Sequence, residues 1–156
     1  TFCLSKGLSA PIGSVLCGTK EFVERAKGYR RMLGGAMRQS GIVAAAGLVA
    51  LDTMVDRLAE DHANARRLAE GLAEISGLEI DLDAVQSNLV FVDIRSTGLT
   101  STEFLRAAGE HGILGLARGR DKVRLVLNRH ITAEDVDYAI GAIREVVGAS
   151  QPVAAR

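Results

Sequence analysis

The sequence is poor in aromatic residues, cysteine and proline, and it has no excess of either charge. Among its 156 residues there is no tryptophan, and aromatic residues make up only 4%. Lysine plus arginine number 19, and aspartate plus glutamate also number 19. This balance, without a basic run interleaved with aromatic residues, argues against a protein that binds nucleic acid.

Long apolar segments and metal-ligand patterns are also missing. The longest apolar run, residues 42–51, is too short to cross a bilayer, and no signal peptide is recognisable, so we expect no membrane association. Cys3 and Cys17 lie in strand-like apolar runs without metal-ligand spacing. We therefore expect no metal site, and reduced core thiols in a cytoplasmic protein. The three histidines fall on unrelated predicted elements, so no Ser-His-Asp or Cys-His set can be assembled.

What is present suits a soluble globular protein of one domain or two small ones. Hydrophobic residues make up 47% of the chain and charged residues 24%, which is enough apolar material for a core. The chain has no initiator methionine and starts within a strand-like run, so we expect it to be the C-terminal part of a longer protein.

Lys6 is the residue around which the first segment is organised. It stands in Ser-Lys-Gly-Leu, between strand-like runs at residues 1–4 and 12–17. A lysine between buried strands is costly unless its amine is used, and a desolvated amine is a nucleophile suited to Schiff-base formation. A solvated loop lysine is the alternative.

Two helices are predicted next, joined by a basic segment. Helical spacing of Phe22, Ala26, Tyr29 and Leu33 predicts a helix that ends at the following glycine pair. The glycine-rich segment 30–41 is either a solvated basic loop or an anion-binding loop. Residues 42–51 are apolar on all sides and predict a buried helix whose small residues permit close approach.

At residues 52–56 the pattern changes to an amphipathic helix over 55–75, which places His62 on the apolar stripe as a core or interface histidine. This change predicts two domains, 1–55 and 56–156. Strands are predicted at 78–82, 89–94, 113–117 and 123–127, and Thr100 and Thr132 are predicted helix caps. The second domain is therefore predicted to be α/β, a helical layer on a sheet of three or four strands, with fraying after residue 149.

Arg124 lies in the middle of the last predicted strand, where one side should be buried. A buried guanidinium needs an anion. That anion is either a structural carboxylate of the chain or the carboxylate of a substrate.

Several segments together resemble one enzyme family. Residues 4–16 read Leu-Ser-Lys-Gly-Leu-x-Ala-Pro-x-Gly-Ser-Val-Leu, and residues 30–41 read Arg-x-Met-Leu-Gly-Gly-x-Met-Arg-Gln-Ser-Gly. Residues 57–65 read Arg-Leu-Ala-Glu-Asp-His-Ala-Asn-Ala, followed by Asn-Leu-Val-Phe at 88–91 and Val-Arg-Leu-Val at 123–126. In this order they resemble the low-specificity L-threonine aldolases, which are pyridoxal-phosphate (PLP) enzymes of the aspartate-aminotransferase fold, fold type I.

The resemblance implies roles for four residues. Lys6 would hold PLP as a Schiff base, and Arg124 would bind the α-carboxylate of the substrate. Arg31 and Arg38 would lie near the active site at a subunit interface, with Arg38 assigned to the cofactor and Arg31 to the substrate. Arg31 stands where the family often has lysine, and residues 127–128 replace a threonine-histidine pair usual in the family, which leaves strict substrate preference open.

The implied function is PLP-dependent cleavage of L-threonine or L-allo-threonine to glycine and acetaldehyde. Residues 1–55 would then be a remnant of the large cofactor domain and residues 56–156 the small C-terminal α/β domain. The whole protein would be a homo-oligomer, dimer or tetramer. The family's cofactor-ring aspartate and ring-stacking histidine would lie upstream, so we expect this chain alone to be inactive. A β-eliminating lyase, an aminotransferase, or an inactive fragment or interaction domain are the alternatives.

Overall fold

The computed structural model describes residues 1–150, and the chain divides into two compact units. The first unit is Thr1–Leu58, and the second begins at Ala59. The sequence places the boundary slightly earlier, between residues 55 and 56. The assignment of the two units to a large cofactor domain and a small C-terminal domain stays a prediction.

The first unit consists of a short hairpin and two helices. Strands β1 (Phe2–Cys3) and β2 (Ser14–Val15) pair antiparallel. They are followed by α1 (Lys20–Met32) and α2 (Gly41–Met54). The predicted strand over residues 12–17 is therefore reduced to two residues. Gly13, just before it, has a φ of +112°, a conformation that favours glycine.

The prediction that the apolar helix is buried is wrong for the chain as described. In α2 only Gly47 and Ala50 are buried, whereas Ile42 is 82% and Leu48 62% exposed. The core of the first unit is small, and α2 adds little more than Ala50 to it. The helix is apolar all round, but the first unit covers only one narrow side of it.

Other apolar side chains of the first unit are exposed as well. Helix α1 has no buried residue, so the predicted stripe with Phe22 and Tyr29 is open. Cys3 and Cys17 are both free and exposed, which corrects their prediction as core thiols. The two-residue strands give the hairpin no covered face on which a thiol could be buried.

The second unit is an α/β layer structure, as predicted. Its elements are α3 (Leu58–Ala73), β3 (Leu89–Asp93), α4 (Ser101–Glu110), β4 (Leu116–Ala117), β5 (Lys122–Val126) and α5 (Ala133–Ser150). The three strands form an antiparallel sheet with the order β3-β5-β4. Val90, Val92, Val123 and Leu125 on one face of it are buried in a single core with residues of all three helices.

Local capping signals are confirmed. Thr100 Oγ1 accepts a hydrogen bond from the amide of Glu103 at 3.3 Å, and the Glu103 carboxylate accepts one from the amide of Thr100 at 2.8 Å. The same reciprocal pair joins Thr132 and Asp135 at the start of α5. The pKa of Glu103 is lowered by hydrogen bonds that its carboxylate accepts from the hydroxyl and the amide of Thr100, and the pKa of Asp135 by those it accepts from the amide and the hydroxyl of Thr132, because they favour the charged carboxylate.

Three predictions for the second unit are wrong in detail. The strand predicted at 78–82 is only a bridge between Glu79 and Asp93, and the strand predicted at 113–117 is only β4. His62 is exposed, and Asp61 is buried in its place. The buried side of α3 consists of residues 61, 65, 68, 69 and 72, so the predicted stripe is confirmed at 65, 69 and 72 and is wrong at 62. The fraying predicted after residue 149 concerns mainly residues outside those described.

Within residues 1–150, no helix combines the length and apolar character that a bilayer span requires. In the same part of the chain, no group of three or more His, Cys, Asp or Glu side chains is arranged to hold a metal ion.

Candidate active site

Lys6 lies at the outer end of a tightly bonded loop between β1 and β2. The Leu4 amide donates to the Gly13 carbonyl at 2.9 Å, and the Ala10 amide donates to the Leu4 carbonyl at 3.0 Å. The Lys6 carbonyl itself accepts from the Ser9 amide at 2.8 Å. Buried Leu4 and Leu8 anchor the loop from within. The backbone of Lys6 is thus fixed by its neighbours.

The side chain of Lys6 is exposed, which corrects the expectation that the lysine is desolvated between buried strands. The side chains on either side that turn inward are Leu4 and Leu8, and Lys6 points away from them. Ser9 completes the turn with a φ of +59°, which is uncommon for a residue other than glycine. Such strain persists where the surroundings impose it and is common at functional sites. The loop therefore presents a primary amine on a rigid turn.

Arg31 and Arg38 lie on either side of the connection between α1 and α2, and both are exposed. Arg31 is in the last turn of α1, and Arg38 is in the turn that precedes α2. The pKa of Glu24 is lowered chiefly by its hydrogen bond with Lys27, with a smaller effect of Arg31. Two positive charges thus flank one connection, as expected for either a solvated basic loop or an anion site.

Arg124 lies on the open face of the sheet of the second unit. It is in the central strand β5, directly opposite Phe91 of β3 and Leu116 of β4. Its neighbours along the strand, Val123 and Leu125, point into the core. The expectation that Arg124 lies in a strand with one buried side is confirmed, with the guanidinium on the side away from the core.

The guanidinium of Arg124 contains an unsatisfied donor. Its Nε is buried and has no hydrogen-bond partner among the described residues. A carboxylate on the same face, that of Asp93, is bound instead by Lys122 at 3.9 Å and by Arg95 at 3.4 Å. The structural ion pair that was one alternative for Arg124 is therefore absent from residues 1–150. A buried N–H without an acceptor is costly, and an external carboxylate would relieve that cost.

The four predicted site residues are divided between the units: Lys6, Arg31 and Arg38 belong to the first, and Arg124 to the second. Neither of two well-formed cavities includes them. One, of about 400 Å³, lies between the hairpin and α2. The other, of about 500 Å³, lies in the second unit beside the start of α5. The larger cavity is therefore lined by none of the predicted site residues.

Polar groups around the larger cavity are already used by the fold. Asp135 accepts hydrogen bonds from Thr132, and Asn128 Oδ1 accepts from the His130 amide at 3.0 Å. Tyr138 Oη donates to the His111 carbonyl at 3.2 Å.

The sequence does not single out Phe91 or Leu116, the two residues that pair with Arg124, because an apolar strand residue gives no signal of function until the pairing register is known.

Comparison with known proteins decides the family. The model of the β-eliminating lyase family matches residues 1–95, which is more than half of the chain. The chain belongs to the β-eliminating lyase family. The matched part contains the Lys6 turn, Arg31, Arg38 and strand β3.

Threonine aldolases are among the relatives of this family member. It is 40% identical over 146 residues to low-specificity L-threonine aldolase 1 of Arabidopsis thaliana. The aligned residues are 93% of this chain and 41% of the relative. It is 39% identical over 137 residues to the low specificity L-threonine aldolase of Escherichia coli K12. Here the aligned residues are 87% of this chain and 39% of the relative. The resemblance inferred from the motifs is confirmed. The chain spans about two fifths of the length of these curated relatives.

A solved structure shows the same fold. A protein of Listeria monocytogenes, named as a candidate L-allo-threonine aldolase, superposes with a TM-score of 0.70 at 18% sequence identity. The match covers 92% of this chain and 43% of the Listeria chain. Solved aminotransferases match as well. The predicted fold class is therefore confirmed: the chain is α/β and covers part of the fold of PLP-dependent fold type I enzymes.

Proposed function

We propose that this chain is the C-terminal part of a PLP-dependent lyase that cleaves β-hydroxy-α-amino acids, L-threonine and L-allo-threonine among them, to glycine and an aldehyde. The observation that carries the proposal is the 40% identity to a low-specificity L-threonine aldolase along 93% of the chain. The unsatisfied Nε of Arg124 supports it independently, because it identifies a donor that lacks its anion.

Residues of the first unit fit a cofactor that carries an aldehyde and a phosphate. Lys6 presents an exposed amine on a fixed turn, which is what covalent attachment to an aldehyde requires. Arg38 is an exposed cation that suits the phosphate, and Arg31 is placed near the substrate in this proposal. When bound, PLP supplies the electron sink for the pair of electrons left on Cα after the Cα–Cβ bond breaks.

In the second unit, Arg124 would bind the α-carboxylate of the substrate through its planar fork. Two parallel N–H···O bonds fix the orientation of a carboxylate as well as its position. That orientation decides which bond at Cα is broken, and the protein contributes to the reaction chiefly through this positioning. Arg124 suits the role because no carboxylate in residues 1–150 pairs with it.

We also propose that the complete protein is a homo-oligomer, dimer or tetramer, in the cytoplasm. Exposed apolar residues on α1 and α2 support the assembly, since large exposed apolar patches mark interaction sites. Free thiols at Cys3 and Cys17 support the compartment, because disulfides are rare in the cytosol.

The reaction itself tests the proposal. The complete protein, loaded with PLP, is incubated with L-threonine, and glycine, acetaldehyde, ammonia and keto acid are measured together. We expect glycine and acetaldehyde in equal amounts. Ammonia with keto acid from a substrate with a β-leaving group, and none of the aldol products from threonine, would identify a β-eliminating lyase. Amino transfer to an added keto acid would identify an aminotransferase, and no turnover of any of these would leave an interaction domain.

A further inference from the structure

Two apolar residues lie directly opposite Arg124 in the pairing register of the sheet. Phe91 pairs with Arg124 on one side and Leu116 pairs with it on the other. Directly opposite residues of antiparallel strands have Cβ atoms about 4.5–5.5 Å apart and share one face of the sheet. Arg124 is therefore bordered by an apolar residue on both sides.

These two residues face outward, although they are large and apolar. Phe91 is 45% and Leu116 55% exposed, whereas the Nε of Arg124 is buried. Nothing in the core requires an aromatic ring at position 91, because the core side of β3 is formed by Val90 and Val92. What distinguishes them from other exposed residues is that both pair directly with Arg124.

Leu116 is held in this place by close packing of the residue before it. A Cβ at Gly115 would lie 2.9 Å from the side chains of both Leu105 and Leu125 and 3.2 Å from the carbonyl oxygen of Arg124. A larger residue at position 115 would have to displace the two leucine side chains and press against the backbone of β5. The distance between Leu116 and Arg124 is thus built into the sheet.

We propose that Phe91 and Leu116 are positioning residues that confine the side chain of Arg124, so that its guanidinium fork is already oriented for a carboxylate. A free arginine side chain has many rotamers, and confinement before binding lowers the entropy that is lost on binding. The inference rests on the proposed function, since it assumes that Arg124 binds the substrate carboxylate.

The experiment compares an amine that has a carboxylate with one that has none. In the complete, PLP-loaded protein, absorbance titrations give the concentrations of glycine and of methylamine that half-displace Lys6 from the cofactor. For Phe91→Ala and Leu116→Ala we expect the half-displacing concentration of glycine to rise about tenfold, because about one charge-assisted contact is lost. The half-displacing concentration of methylamine should change less than about twofold. Phe91→Leu should restore most of the glycine affinity, because it keeps an apolar wall.

Matched controls come from the same unit. Leu114→Ala truncates the same residue type two positions earlier, where the side chain is 86% exposed and not paired with Arg124. Tyr138→Ala removes an exposed aromatic ring from α5. Both should leave the two titrations unchanged. The methylamine titration also shows, in each variant, that the protein is folded and holds its cofactor.

Arg124→Ala separates the two ways of failing. If it leaves the glycine titration unchanged, the carboxylate role of Arg124 is wrong and the proposal falls with it. If it weakens glycine binding while Phe91→Ala and Leu116→Ala behave like the controls, Arg124 keeps its role and the positioning inference alone is overturned. An equal loss for glycine and methylamine in the Phe91 and Leu116 variants would also overturn it, because that is a general structural effect.

Discussion

Replacing Arg124 with lysine tests the carboxylate role through geometry, because the charge is kept and the planar fork is lost. A charge-assisted hydrogen bond contributes roughly 1.5–3 kcal/mol. Each 1.36 kcal/mol is a factor of ten, so the loss of one such bond should lower kcat/KM for L-threonine by about 10- to 150-fold.

Stability should not fall in the same variant. The Nε of Arg124 is buried without an acceptor, which disfavours the folded state, and lysine has no nitrogen at that position. The Tm of Arg124→Lys should therefore equal or exceed that of the unchanged protein. Arg106→Lys is the matched control, since Arg106 is exposed and its guanidinium lies 3.2 Å from the carboxylate of Glu110 on the same helix; the kcat/KM of this variant should stay unchanged.

The assay is steady-state cleavage of threonine by the complete, PLP-loaded protein, with Tm measured on the same samples. A lower Tm for Arg124→Lys together with kcat/KM within about twofold of the control would refute the reasoning. Arg124 would then have a structural role and no part in substrate binding.

Three further predictions concern the activity of the isolated chain, the assembly of the complete protein and one helix cap. The 156 residues alone, which span 41% of a threonine aldolase, should not form glycine from threonine even with added PLP, and robust turnover would disprove this. Light scattering of the complete protein should give a dimer or tetramer, and a fully active monomer would contradict the oligomer. The pKa of Glu103 is lowered, so its contribution to stability is present above its unfolded pKa and is lost as pH falls through the folded pKa. Glu103→Gln should thus lower Tm at neutral pH and lose that effect in acid; an equal effect at both pH values would be inconsistent with the cap.

Local signals were sufficient to predict much of the second unit. The caps at Thr100 and Thr132 depend on side chains three residues apart, so the sequence alone contains the whole interaction. The mid-strand position of Arg124 followed from alternation along β5. The predicted stripe of α3 is correct at Ala65, Ala69 and Leu72, but Asp61 is buried instead of His62, and a carboxylate is a residue that sequence patterns place in solvent.

Burial in the first unit could not be predicted, because it depends on what lies next to each element. An all-apolar sequence such as that of α2 predicts a covered helix, but it does not identify the element that covers it. Within the described residues, Ile42 and Leu48 stay exposed. Lys6 was expected between buried strands, yet the strands are two residues long and bury little. The importance of Phe91 and Leu116 required the register of the sheet, which no single segment specifies.

The most direct test of the account is the identity of the lysine that carries the cofactor. The complete protein is loaded with PLP, reduced with borohydride and digested, and the modified peptide is located by mass spectrometry. The account predicts a pyridoxyl group on Lys6, the amine on the rigid turn between β1 and β2. A label on Lys20 or Lys27 with Lys6 unmodified would contradict it.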